Sequence, residues 1–257
     1  MRHWGIYLTA RTRPDGVGSL DLELAVQTLE NQGKLEGFSD ENRQVIEPRN
    51  RRVASQSLQA VVYARFFVFR IFLECARNQP EGITEAHKRL WLFMQVAPKL
   101  YFGHDIFLIF SQIANNGIPA DLDRHIALEL TRIRTILGSS TTLFTALDET
   151  QILTTKLLQF FRSDQNPGKS RPILKILLSI LVSWLPLILS GTGLSMRELS
   201  DIYGSVVAKE GLEATLFTDL GAFESQADQQ AYLERYLPKD FLTEELAERI
   251  GYWLHGR

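Results

Sequence analysis

The second half of the chain alternates short apolar runs with longer amphipathic segments. After Leu137, the runs TLFTAL and LPLILS are separated by ILTTKLLQFF and RPILKILLSILVSW, and are followed by MRELSDIYGSVVA and ATLFTDL. This alternation is typical of parallel strands linked by crossover helices. The segment His3 to Ala10, HWGIYLTA, has the aromatic and β-branched content of a further strand. We therefore predict an α/β fold with three layers and a mostly parallel sheet.

Helical periodicity dominates between the first predicted strand and Leu137. Ser19 can cap a helix through LDLELAVQTLE. Further helices are predicted over Ser57 to Arg77, Thr84 to Val96, about Asp105 to Ala114, and from Pro119 to Leu137. Residues 34–55 are polar, lack clear periodicity and contain the run RNRR, so we predict a surface connection there. The expected organisation is one domain over residues 1–257, with a mainly helical insertion over 34–137 and an α/β part over 138–257.

Charge and composition exclude several classes of function. The 28 basic and 30 acidic residues leave no positive excess to neutralise a phosphate backbone, so nucleic-acid binding is not predicted. The single cysteine, Cys75, and five scattered histidines provide neither a disulfide framework nor metal-ligand spacing. No partner is predicted among small molecules other than a nucleotide.

An apolar stretch from Ile173 to Ser190 is close to the length of a membrane-spanning helix. Lys175 interrupts it early and Pro186 would break a helix near its end, so a buried helix followed by a buried strand explains it better. The amino-terminal residues contain no apolar run long enough for a signal peptide. We expect an intracellular protein, cytoplasmic or nuclear, without a membrane partner.

Leu143 to Gln151, LFTALDETQ, predicts a buried strand that ends in an Asp-Glu pair. In P-loop NTPases such a strand, called Walker B, delivers an Asp that helps to hold the magnesium ion bridging the terminal phosphates. Asp148 is the candidate metal and cofactor ligand, and Glu149 is the candidate group that orients the attacking water. The alternative is that Asp148 and Glu149 only begin a loop or cap a following helix, ILTTKLLQFF.

A second apolar run, LPLILSGTGLS, ends in small polar residues. In an open α/β sheet, ligands lie at the carboxyl ends of the strands, so a hydroxyl here could sense the terminal phosphate. Ser190 is the first candidate for this sensor and Thr192 is the second. The alternative is a Gly-rich turn in which Ser195 and Glu198 form a capping box.

The tripeptide GKS at residues 168–170 matches the end of a Walker A loop, GxxxxGK[ST]. We reject that interpretation because Ser163 stands where the first Gly is required and because no apolar strand precedes it. Arg162 and Arg171 flank this loop and could act as arginine fingers towards a neighbouring subunit. The alternative is that both are solvated or pair with local carboxylates.

Taken together, these segments resemble the AAA-like P-loop ATPase domain of Crinkler-type proteins, which are widespread in fungi and oomycetes. The resemblance covers nearly the whole chain and rests on RHWGIYLTA, GVGSLDL, LDETQ, FRSDQNPGKSRPIL, LILSGTGLS, TDLGAF, YLERYLP and RIGYWLHGR. It implies magnesium-dependent binding and hydrolysis of ATP, with Asp148 and Glu149 as the Walker B pair and Ser190 at the sensor position.

The chain departs from the family pattern at its amino terminus. In such domains a central strand and the Walker A loop precede the segment that RHWGIYLTA resembles, and this chain starts after them. We therefore expect an ATPase-derived domain whose activity is weak or absent. The alternatives are a non-catalytic protein-interaction scaffold, or an ATPase that self-associates or pairs with another chain to complete its sheet.

Overall fold

A computed structural model describes residues 3–11, 16–117, 121–163, 168–191, 225–235 and 243–254. The chain forms two compact units, residues 1–211 and residues 212–257. Three expected features lie outside the described residues: the ATLFTDL strand, the MRELSDIYGSVVA helix and the turn that contains Thr192, Ser195 and Glu198.

The first unit contains a parallel sheet of three strands in the order β1-β2-β3. The strands are β1 (His3–Thr9), β2 (Thr142–Asp148) and β3 (Leu187–Leu189). Leu143, Thr145 and Leu147 of the central strand β2 are buried in strict alternation, because successive side chains of a strand point to opposite faces. The predicted α/β class with parallel strands is confirmed.

Seven helices accompany the sheet in the described part of this unit. They are α1 (Asp21–Asn31), α2 (Arg43–Arg77), α3 (Glu85–Val96), α4 (Pro98–Phe102), α5 (Ile106–Gly117), α6 (Leu122–Leu137) and α7 (Ile173–Val182). The 35-residue helix α2 packs against five others, α1, α3, α5, α6 and α7, and is the centre of the helical part. The predicted helices in this region are confirmed, and Ser19 accepts a hydrogen bond from the Asp21 N–H at 3.1 Å at the beginning of α1.

The interpretation of residues 34–55 as a surface connection is wrong from residue 43 onwards, where α2 begins. The RNRR run lies inside this helix. Glu47 and Asn50 are buried because they bind backbone groups of other segments: Asn50, for example, donates to the Glu36 carbonyl at 2.8 Å. Buried polar residues hide the apolar period on which helix prediction depends.

The helix predicted over ILTTKLLQFF is also wrong. This segment forms two short 3-10 turns, Thr150–Thr154 and Leu158–Phe160. Between them Leu157 adopts a left-handed backbone with φ 59°, which no α-helix of L-residues continues. Leu153, Leu157 and Phe161 are buried at intervals of four residues, so their spacing imitates a helical period.

The segment after Ile173 forms the predicted buried helix α7 and then the strand β3. The prediction that this strand is buried is wrong, because Leu187 and Leu189 are only partly buried and Ile188 is exposed. No helix in the described ranges has the length and apolar character needed to cross a membrane.

The second unit contributes two helices from its described residues, α8 (Gln226–Leu233) and α9 (Glu244–Leu254). They touch closely at Gly251, where an added Cβ would lie 2.8 Å from the Gln229 Oε1 atom. Ser225 caps α8 by accepting a hydrogen bond from the Asp228 N–H at 3.1 Å.

The outer edge of β1 is covered by side chains of α3. Gln95 accepts from the Tyr7 N–H at 2.8 Å and donates to the Gly5 carbonyl at 3.2 Å, and the Trp91 indole N–H donates to the same carbonyl at 2.9 Å. These side-chain hydrogen bonds take the place of the backbone hydrogen bonds that a further strand would make with β1. The opposite edge, along β3, pairs with no strand among the described residues beyond β2, and Ile188 there is 53% exposed.

Replacing Gln95 by Leu is expected to destabilise the protein by about 1–3 kcal/mol, because the Tyr7 N–H is left without its acceptor. Urea unfolding monitored by circular dichroism measures the change. Gln79→Leu, at an exposed position after α2, is the control and should change stability by less than about 0.5 kcal/mol. An equal effect of the two substitutions would contradict the role of Gln95 at the strand edge.

A fully buried ion pair joins α1 to α2. Arg65 donates to both carboxylate oxygens of Asp21, at 2.8 and 2.7 Å, and the two side chains are 1% and 0% exposed. The Arg65 guanidinium also lies over the Phe107 ring, 4.1 Å from its centroid. Such a pair does not by itself guarantee stability, but removing one partner leaves the other charge buried and uncompensated.

We predict that Asp21→Asn lowers the free energy of unfolding by about 3–5 kcal/mol, because the Arg65 charge loses its counter-charge. The control is Glu36→Gln, which disrupts the exposed Glu36–Arg49 pair and should cost about 1 kcal/mol or less. Urea denaturation of the two variants checks the difference. Similar losses in the free energy of unfolding would contradict the expectation that breaking the buried pair costs more than breaking an exposed one.

Candidate functional site

The candidate site lies at the carboxyl edge of the sheet, where β2 ends at Asp148. Thr9 of β1 is in register with Asp148, and the next residue, Ala10, donates its N–H to the Asp148 carbonyl at 3.0 Å. On the other side, the Ser190 N–H donates to the Leu147 carbonyl at 2.9 Å. The ends of all three strands therefore meet at this residue.

The Asp148 carboxylate accepts three hydrogen bonds. The Ser190 hydroxyl donates to Oδ1 at 2.5 Å, the Glu149 N–H donates to Oδ1 at 2.9 Å, and the Tyr7 hydroxyl donates to Oδ2 at 3.0 Å. A carboxylate has about four lone-pair positions, so these donors fix its orientation and leave about one position for a further ligand.

Ser190 and Asp148 are brought together as the sequence predicts. The serine directly follows β3 and is exposed, and its carbonyl accepts a hydrogen bond from the Thr150 N–H at 3.1 Å. Thr150 also donates from its hydroxyl to the Leu147 carbonyl at 3.0 Å. The turn after β2 is thus bound to the end of β3, which holds the two side chains in one geometry.

Glu149 has a left-handed backbone conformation, with φ 54° and ψ 34°. Left-handed conformations are uncommon in residues other than Gly, and they occur preferentially at functional sites. The Glu149 carboxylate accepts a hydrogen bond from the Gln151 side-chain amide at 2.5 Å. The conformation lets the chain turn immediately after β2 while the Glu149 N–H remains on the Asp148 carboxylate.

Tyr7 is a site residue that the sequence does not reveal. Its contact with Asp148 spans 141 residues of sequence, and a tyrosine in the middle of a strand is ordinarily a packing residue. Burial raises the pKa of Tyr7 to about 12, and the negative charge of Asp148 and the hydrogen bond to it act in the same direction. Tyr7 is therefore a permanent donor to Asp148 at neutral pH.

Arg162 lies in a short antiparallel bridge with Ser170, docked on the beginning of α2. Its N–H donates to Glu47 at 2.9 Å, its carbonyl accepts from Arg51 at 2.6 Å, and its guanidinium donates to the Ser170 hydroxyl. Burial alone would raise the pKa of Glu47, but the hydrogen bonds from Arg43, the Arg162 N–H and Arg51 lower it. Glu47 therefore anchors this bridge as a carboxylate.

Arg171 is buried beside the same bridge, and its guanidinium donates to the Ser163 hydroxyl at 3.1 Å. No contact in the described part of the chain joins Arg162 or Arg171 to Asp148. Their predicted action on a neighbouring subunit stays a prediction. Thr192 lies outside the described residues.

The donor set determines which metal ion the site could accept. Within the ranges that the structure describes, no group of three or more His, Cys, Asp or Glu side chains could enclose an ion. Asp148 and Glu149 are two carboxylates at one strand end, and magnesium is commonly bound through one or two carboxylates together with substrate phosphates and water. These residues therefore fit a magnesium ion that arrives with a phosphate ligand and do not fit a metal site built from protein alone.

Comparison with known proteins finds no matching family model, no similar protein of known function and no similar solved structure.

Tyr7→Phe is expected to remove a pH-dependent part of the stability above pH 10. Between pH 10 and about 12 folded Tyr7 keeps a proton that an ordinary tyrosine, with a pKa of 10.0, releases. The free energy of unfolding of the unmodified protein therefore falls as the pH rises through this window. Urea unfolding at a series of pH values should give a constant difference between the two proteins up to about pH 9. Above that, the unmodified protein should lose stability relative to the variant, and parallel profiles up to about pH 11.5 would contradict the assignment.

Proposed function

We propose that this chain is an ATPase-derived domain of the P-loop NTPase class, of the Crinkler type that its sequence resembles, with a residual site for magnesium and ATP. The contact between Asp148 and Ser190 carries the proposal. The two side chains end adjacent parallel strands and meet at 2.5 Å on the sheet edge where open α/β folds bind ligands. A Walker B strand and a sensor strand require this arrangement.

The order of the strands also supports the proposal. In P-loop ATPases of this class, the strand that precedes Walker A lies next to the sensor strand. β3, the proposed sensor strand, is bounded on one side by β2 and has no strand described on its other side. Among the described strands, the position next to β3 where a larger P-loop sheet has its additional strand is therefore unfilled.

Each residue of the site has a distinct proposed role. Asp148 would hold magnesium, whose charge offsets that of the terminal phosphates. Glu149 would orient the attacking water, and Ser190 would contact the terminal phosphate while it positions Asp148. Tyr7 is a positioning residue, because its hydroxyl fixes the second carboxylate oxygen of Asp148.

Weak activity is expected from these 257 residues alone, since no GxxxxGK[ST] pattern occurs in them. The backbone amides and the lysine of that loop contribute much of the binding to a triphosphate. The β3 edge allows a further strand to complete the sheet, supplied by self-association or by another chain.

A non-catalytic interaction scaffold is the second candidate function. Three successive helices, α3, α4 and α5, expose large apolar side chains. They are Leu92, Phe93, Leu100, Tyr101, Ile109 and Ile113, of which Leu100 is 89% exposed. Exposed apolar surface of this kind is characteristic of protein contacts when it is contiguous.

Titration with a fluorescent ATP analogue, with and without magnesium, discriminates between the two functions. We expect magnesium-dependent binding that Asp148→Asn weakens at least about tenfold, because the amide keeps the shape of the side chain but loses its charge. The control is Asp40→Asn at an exposed position, which should bind like the unmodified protein. Glu149→Gln should retain binding and lose any hydrolysis.

Absence of binding at millimolar nucleotide would eliminate the nucleotide site and favour the scaffold. Binding that is unaffected by Asp148→Asn would show that nucleotide occupies a different place.

A further inference from the structure

Arg11 is a buried arginine whose guanidinium has no acceptor among the described residues. It follows β1 directly and is 7% exposed. Its Nε and Nη1 atoms are buried, and neither has a hydrogen-bond acceptor in the part of the chain that the structure describes. Its backbone, in contrast, is bound, because the Arg11 N–H donates to the Thr9 hydroxyl at 3.3 Å.

The lack of an acceptor for these two nitrogens within the described ranges requires an explanation. A guanidinium remains charged at all accessible pH values, so Arg11 cannot lose its charge to reduce the cost of burial. Buried charges in proteins are normally paired. Arg65 in the same unit follows this rule through two hydrogen bonds to Asp21.

The backbone of Arg11 lies at the candidate site. Ala10, the residue before it, donates its N–H to the Asp148 carbonyl, and Tyr7 of the same strand contacts the Asp148 carboxylate. The chain at Arg11 therefore leaves β1 at the sheet edge where β2 ends in Asp148 and Glu149.

We propose that Arg11 binds an oxyanion of the phosphate class at this edge. The inference rests on the proposed function, because it assigns a residue to the phosphate that would approach Asp148. Two carboxylates alone repel a phosphate, and a guanidinium offsets this repulsion while its N–H groups donate charge-assisted hydrogen bonds to the phosphate oxygens. The anion supplies acceptors to Nε and Nη1, which have none within the described ranges.

The test compares thermal unfolding of the unmodified protein, Arg11→Met and Arg52→Met. Methionine keeps much of the apolar length of arginine, and Arg52 is an exposed arginine of α2 that serves as control. Each protein is heated alone, with inorganic pyrophosphate without metal, and with ATP and magnesium. Arg11→Lys is a further variant that keeps the charge and loses the planar guanidinium.

Without ligand, Arg11→Met is expected to raise the Tm by several degrees, because it removes a buried charge that has no acceptor among the described residues. Pyrophosphate or magnesium-ATP should raise the Tm of the unmodified protein and of Arg52→Met but not that of Arg11→Met, with Arg11→Lys between them. Protection by pyrophosphate identifies a free phosphate as sufficient, whereas protection by magnesium-ATP alone identifies the nucleotide as the source.

Equal protection of Arg11→Met and the unmodified protein, or protection of neither, would overturn the inference. So would a fall in the Tm of ligand-free Arg11→Met or failure of this variant to fold, since either would show that the guanidinium supports the fold. If nucleotide binding depends on Asp148 and not on Arg11, the proposed function stands and this inference fails. If pyrophosphate protection depends on Arg11 while nucleotide binding is insensitive to Asp148→Asn, this inference stands and the proposed function fails.

Discussion

The buried pair of Arg65 and Asp21 holds α1, the first described element after β1, against the long helix α2. Asp21 begins α1, which follows the connection from β1, and Arg65 lies in α2. Two more helices hold the same connection, because the Gly18 N–H donates to the Val96 carbonyl at the end of α3 and the Leu20 N–H donates to Asp105 before α5. Contacts with α2, with the end of α3 and with the residue before α5 thus hold residues 18–21 in place.

Gly18 shows how closely that connection packs on the sheet. Its φ of +95° is accessible to glycine at little cost, and an added Cβ would lie 2.5 Å from the Thr9 side chain and 3.1 Å from the Tyr7 ring. The tyrosine that orients Asp148 is therefore held in place by backbone packed against its ring. The position of the Tyr7 ring therefore depends on how the helices bind this short segment.

The sequence predicts the part of the structure that depends on apolar periodicity and chain order. The strands at His3 and Thr142, the helix α6 and the meeting of Asp148 with Ser190 follow from apolar runs that end in polar residues. Tyr7 and Arg11 could not be found in this way, because the significance of each depends on contacts made or missing in three dimensions among the described residues. In the sequence alone, Tyr7 looks like an ordinary strand residue and Arg11 like an ordinary loop residue.

The two wrong interpretations that concern helices have a common physical cause. In residues 43–55 polar side chains are buried through hydrogen bonds to distant backbone, so a helix looks like a surface segment. In ILTTKLLQFF a left-handed leucine breaks a segment whose apolar spacing suits a helix. In both places tertiary contacts override the local pattern, which is a limit of any argument from periodicity alone.

The difference between the two sheet edges also constrains the symmetry of any assembly that forms by pairing strands between copies of the chain. The outer edge of β1 is occupied by Gln95 and Trp91, so in the described part of the chain only β3 offers backbone groups for a further strand. Two copies that joined through β3 would be related by a two-fold axis and would use both open edges at once. Such an assembly would end as a closed dimer and could not continue into a filament.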